Sequence, residues 1–213
     1  MPPKPKFTRE EIIDAALDMV SEKGMAGLTS RDLGAKLGSS ARPIFTVFKN
    51  MEEVQQEVLR AAMKKFESHA REAMCYTPAF KQLGMQMILF AMEEPRLYRL
   101  LFMEGNGEAK NFEQVFDELG ETAVVCMEAI QRDYGLDAEG AKALFEHVWI
   151  FTFGIGALCA MGRCRFSEEE INELLGQDFT AMLVRIKSGE IKQPTVRPVR
   201  KEETGSMDET KHG

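Results

Sequence analysis

Residues 29–49, TSRDLGAKLGSSARPIFTVFK, leave a chain like this few folds to choose from. Leu33, Leu37, Ile44, Phe45 and Phe48 are the large apolar residues, and their spacing gives each of two short helices one buried face. Thr29 suits an N-cap with Asp32 at the third position, which predicts a helix over residues 30–37. Gly38 tolerates the left-handed conformation that stops a helix, and Ser39 or Ser40 can cap a second one within two residues. Two helices joined by so tight a turn cross steeply. One can brace on a phosphate backbone while the other enters a major groove.

The flanks extend this unit. Thr8, with Glu11 three residues on, predicts the start of a helix whose stripe is Ile12, Ile13, Ala16, Leu17 and Val20 and whose stop is Gly24. Beyond the turn unit, residues 50–74 predict one long helix with Val54, Val58, Leu59, Ala62, Met63 and Phe66 on its inner side. Ahead of it all, Pro2, Lys4, Pro5 and Lys6 form an extended basic arm, which either follows phosphates or the minor groove or is a solvated tail.

Residues 7–59 resemble the DNA-binding half of the TetR family of bacterial transcription regulators. The resemblance is carried by the EKG ending the first helix, LTSRDLGAKLG, the serine turn, I-F-x-x-F and K-N-x-E-E. It implies an all-α fold of about nine helices, with a three-helix DNA-binding domain over residues 1–50. The connector helix at 50–74 then leads into a ligand-binding and dimerisation domain over 51–188. Three positions depart from the family pattern: Phe45 replaces a usual tyrosine, and Val47 and Met51 stand where polar residues contact phosphate.

The candidate DNA contacts are Lys6, Thr29, Ser30, Arg31, Ser39, Ser40, Ala41, Arg42, Thr46, Lys49 and Asn50. Arg42 is the best base reader, because a guanidinium can pair bidentately with guanine, whereas a phosphate contact there would position without specifying. Pro43 constrains it. Proline disfavours helical backbone at the residue before it and lacks the N–H that a helix interior needs, so the reading helix should begin no earlier than Ser40 or be strained at Arg42.

The net charge of −7 sits in the second part: residues 1–50 sum to +2 and residues 51–213 to −9. DNA affinity depends on the local cluster, so the total does not exclude it. Cys75, Cys126, Cys159 and Cys164 form no C-x-x-C pair and read as reduced thiols of a cytoplasmic protein. No secretory leader is recognisable at the N-terminus, and the longest apolar run, residues 148–162, reads as a buried helix too short to cross a membrane.

After residue 78 the chain becomes rich in Met and Phe, which suits either a plain core or a pliable apolar cavity. A break at Glu94-Pro95 divides two helices, and further helices are expected over 112–134, from Asp137 through 161, and from Ser167 to about 187. WIFTFG, residues 149–154, resembles a W-H-G motif of one regulatory subgroup of the family, with Phe153 in place of histidine. Met87, Phe90, Phe102, Met127, Trp149 and Phe153 are the candidate ligand-binding residues; Gln86, Tyr98, Cys126, His147 and Thr152 are the few polar groups available to orient a ligand. Gly156, Ala157 and Ala160 are small enough for close helix approach, and the resemblance places the dimer on the last two helices. Residues 189–213, with proline, basic and then acidic residues, are expected to be disordered.

No phosphate loop, nucleophile elbow or metal-protease motif occurs, so no catalytic residue, metal or cofactor is expected. These readings converge on a homodimeric repressor of palindromic operator DNA, released by a small apolar effector. The alternative is an interaction or small-molecule-binding protein that keeps the fold but has lost specific DNA binding.

Overall fold

The computed structural model describes residues 5–73, 75–76, 79–104, 114, 119 and 121–190. Eight α-helices occur among them: α1 (Arg9–Lys23), α2 (Ser30–Lys36), α3 (Met51–Ala73), α4 (Ala79–Glu93), α5 (Pro95–Phe102), α6 (Glu121–Tyr134), α7 (Ala138–Ala160) and α8 (Glu168–Lys187). The arm before Pro5, the loop at 105–110, the start of the helix expected at 112–134 and the tail beyond 190 lie outside the described residues.

Local chemistry places the helix starts. Glu11 N donates to Thr8 Oγ1 at 3.1 Å while Thr8 N donates to Glu11 at 2.8 Å, and Ser167 and Glu170 repeat the reciprocal box. Asp32 N donates to Thr29 Oγ1 at 3.1 Å, and Gly140 N to Asp137 at 2.8 Å. Gly38, at φ 63°, ends the turn after α2 in left-handed backbone that a side chain would strain.

One expected helix is absent. Ile44–Thr46 is a single 3-10 turn where the second helix of the pair was expected. Pro43 (φ −59°, ψ −30°) has no N–H to give, and the following bonds are tight three-residue ones: Ile44 N to Ala41 O at 3.1 Å and Thr46 N to Pro43 O at 3.2 Å. Neither Ser39 nor Ser40 caps a helix here, because no α-helix follows.

α1 packs on α2, α3 and α5, and α4 lies against α3, α5, α6, α7 and α8. An apolar cluster runs from Ile12, Val20, Leu33, Ile44 and Phe48 through Val54, Val58 and Ala62 of α3 to Phe90, Leu97 and Tyr98. The expected boundary after residue 50 therefore crosses a shared core, with α3 serving both sides. A second cluster gathers Phe80, Cys126, Ile130, Leu144, Phe145, Val148 and Phe179. α7 has 23 residues and a mean hydropathy of 1.6 over its most apolar stretch, so by length and composition it could cross a membrane, contrary to the shorter run read from sequence. Here it packs against α4, α5, α6 and α8.

Candidate functional site

The presumed reading surface is built on a close approach. A Cβ placed on Gly34 would lie 2.7 Å from the Ser40 carbonyl carbon and 2.8 Å from Ala41 N, so only glycine lets α2 seat the turn that carries Arg42. Ser39 N closes the contact by donating to Gly34 O at 2.8 Å. Gly34 carried no weight in the sequence reading, although a glycine inside a helix that costs about 1 kcal/mol relative to alanine is itself a signal.

The eleven candidate DNA contacts divide by what already occupies them. Thr29 and Asn50 cap α2 and α3, the latter accepting from Glu53 N at 2.9 Å, and the Thr46 hydroxyl donates to Pro43 O at 2.6 Å. Ser30, Ser39 and Ala41 are half-buried, whereas Ser40 is exposed. Lys6 Nζ donates to Ser39 Oγ at 3.1 Å, which brings the base of the arm beside the turn. Arg31, Arg42 and Lys49 are exposed, and none of the three forms a salt bridge among the described residues. Of the three departures from the family pattern, Val47 and Met51 pack onto the core, while Phe45 stays 45% exposed.

Polar clusters tie this headpiece to the body. Arg9 reaches Glu53 and Glu57, each at 2.9 Å, and its guanidinium lies 4.4 Å from the centre of the Phe48 ring. The Lys49 N–H and then Arg9 hold the Glu53 carboxyl below the usual range, and Arg9 does the same for Glu57. Farther along, Glu94 accepts from Ser21 of α1 and pairs with Lys65 of α3. Burial pushes the Glu94 carboxyl up, but Lys65 and Ser21 outweigh it and the net shift is downward.

Where the two apolar clusters meet lies a small, partly open apolar cavity. Phe66 of α3 and Phe102 of α5 form one side; Phe80, Leu83, Gly84 and Met87 of α4, Cys126 of α6, and Phe145, Val148, Trp149 and Thr152 of α7 form the rest, with Leu119. Met87, Phe102 and Trp149 are among the residues that line it. Phe90, Met127 and Phe153 are not. Phe90 is fully buried against Phe66 and His69, Met127 packs on the second cluster, and Phe153 stacks on Trp149 at 5.3 Å and 14°. Helical spacing could not separate a wall residue from its neighbours in the core. Burial drives the Cys126 thiol up to about 12, which keeps it an inert wall group.

Two of the other polar candidates, Tyr98 and His147, are engaged elsewhere. The Tyr98 hydroxyl donates to Phe153 O at 3.2 Å, and His147 Nε2 lies 3.0 Å from Asp178. Gly156 is turned inward: a Cβ there would lie 2.5 Å from the Tyr98 hydroxyl, and Ala157 and Ala160 are buried within the same chain. This corrects their assignment to a dimer face. The exposed stripe of α7 is Ile150, Gly154, Leu158 and Met161, at helical spacing, and a Cβ on Gly154 would meet open space. Burial raises the Cys159 thiol to about 11, Cys164 beside it adding to the shift. Among the described residues no group of three or more His, Cys, Asp or Glu could hold a metal ion.

Comparison with known proteins bears on both parts. Residues 12–58 match the family model described as bacterial regulatory proteins, tetR family, and residues 80–182 match that of the tetracyclin repressor-like C-terminal domain. A crystal structure from Mesorhizobium loti MAFF303099, described as a TetR-family transcriptional regulator, shares the fold with a TM-score of 0.59 at 20% identity, over 84% of this chain and 98% of its own. No curated protein matches the chain.

Proposed function

Because the chain belongs to the TetR family of DNA-binding transcriptional regulators, and is a regulator rather than an enzyme, we propose that it is a homodimeric repressor released from a palindromic operator by a small apolar effector. The observation that carries this reading is the cavity's use of α3. Phe66 is part of its wall, while the start of the same helix meets Arg9 through Glu53 and Glu57. An effector that displaces Phe66 would move the helix whose first turns hold Arg9 at the start of α1. Arg31, Arg42, Lys49 and Lys6 are the proposed DNA-contacting cations, with Ser40 beside them; Met87, Phe102 and Trp149 are proposed effector contacts.

Dimerisation would set two reading segments about 34 to 36 Å apart, one helical turn of DNA. The proposed interface is the Ile150, Gly154, Leu158 and Met161 stripe of α7 together with α8, whose Val184 is 60% exposed. A coupling of about 1 to 3 kcal/mol between cavity and reading segment would change DNA affinity roughly 5- to 150-fold. The alternative, a protein that has lost specific DNA binding, draws support from Val47 and Met51 being packed into the core. Gel-shift titration of the DNA upstream of the gene, with and without neutral aromatic compounds, decides between them. Sequence-specific binding that a compound reverses supports the repressor; equal, weak affinity for all duplexes supports the alternative.

A further inference from the structure

Resting on the reading of the cavity as an effector site, we propose that its effector is a compact neutral phenol, held by a hydrogen bond to Thr152 Oγ1 where α4 passes at Gly84. Thr152 is 2% exposed, and its hydroxyl has no hydrogen-bond partner among the described residues. It supplies the one side-chain oxygen among the described residues that line the cavity. A buried hydroxyl without a partner is costly, so the site favours a molecule that completes it.

Gly84 lets α4 pass close beside the hydroxyl: a Cβ there would lie 3.2 Å from Thr152 Oγ1 and 3.5 Å from Leu175. The rest of the wall defines the ligand's body. Phe66, Phe80, Phe102, Phe145 and Trp149 offer ring faces and edges, which suit an aromatic guest. None of the described lining residues is ionisable at neutral pH, with Cys126 raised to about 12, so a carboxylate or ammonium would enter unpaired among them. A threonine hydroxyl has one donor and two acceptor lone pairs. A phenol can answer it in either sense, whereas an ether or ketone can only accept.

The test is calorimetric titration of the full chain with 4-propylphenol and propylbenzene, which differ by the hydroxyl alone. Thr152→Val keeps the shape and removes the oxygen. It should weaken 4-propylphenol about 10-fold while changing propylbenzene by less than about 2-fold, as expected for stranding the ligand's hydroxyl. Gly84→Ala, whose methyl would crowd Thr152 Oγ1, should weaken 4-propylphenol as well. Thr152→Val without ligand should melt at or above the temperature of the parent protein, since an unpaired hydroxyl has been removed. Equal effects on both probes, or a Thr152→Val protein that melts several degrees lower, would overturn the hydroxyl anchor while leaving the apolar cavity as a binding site. Failure of both probes to bind the unmodified protein would overturn both the anchor and the effector reading.

Discussion

Ser21, near the end of α1, donates its hydroxyl to Glu94, the residue that opens α5, and Lys65 of α3 pairs with the other oxygen of the same carboxylate. One side chain thus joins the DNA-binding headpiece, the connector and the body. Glu94→Gln keeps the shape but loses the charge. It should lower stability by about 1 kcal/mol, since solvent still reaches the pair, and should weaken the response of DNA binding to effector more than DNA binding itself. Thermal melts and gel shifts on the same variant measure the two effects.

Acid should act on the same joints. The carboxyls of Glu53, Glu57 and Glu94 are held below their ordinary value of 4.5 by hydrogen-bonding and cationic partners. A carboxylate with a depressed folded value contributes stability that is fully present above 4.5 and is lost as the pH falls through the lower folded values. The melting temperature should therefore drop more steeply below pH 4.5 in the parent than in Glu94→Gln. Parallel curves would mean that the pairing does not hold the folded state together.

Gly34→Ala should damage the reading surface from beneath. Its methyl would sit 2.7 Å from the Ser40 backbone, a strain of about 1 to 3 kcal/mol against roughly 1 kcal/mol gained in helix propensity. Operator affinity should fall further than thermal stability, because the turn that carries Arg42 must shift. A variant with unchanged affinity would show that the turn can move without consequence.

Arg42→Ala should relax base preference at one position in each half-site, costing about 1 to 3 kcal/mol if the contact is bidentate to guanine. Competition binding against single-base operator variants reads this directly. A uniform loss over all sequences would make Arg42 a phosphate clamp.

Gly154 and Gly156 separate the two faces of α7. Gly154→Arg, on the open side, should raise the dimer dissociation constant in sedimentation while leaving the far-ultraviolet spectrum intact. Gly156→Ala should instead lower the melting temperature, because its methyl meets the Tyr98 hydroxyl inside the chain. A dimer insensitive to Gly154→Arg would move the interface off this stripe.

The helical fold and the family were legible in residues that act on near neighbours. Thr8 with Glu11, Thr29 with Asp32, Gly38, Asp137 and Ser167 fix helix ends within a few residues, and apolar spacing marks which side of α1 and α3 is buried. Pro43 was legible as an obstacle, but sequence could not show that the chain would yield to it with a 3-10 turn, because that outcome depends on Gly34 receiving the Ser40 backbone. Helical spacing put Gly156, Ala157 and Ala160 on a face that another helix could approach, yet only packing chose Tyr98 of the same chain as the Gly156 neighbour. The cavity likewise exists where α3, α4, α5, α6 and α7 converge. Its walls come from residues far apart in the chain, and the solitary oxygen of Thr152 gains meaning only when the surrounding side chains leave it without a partner.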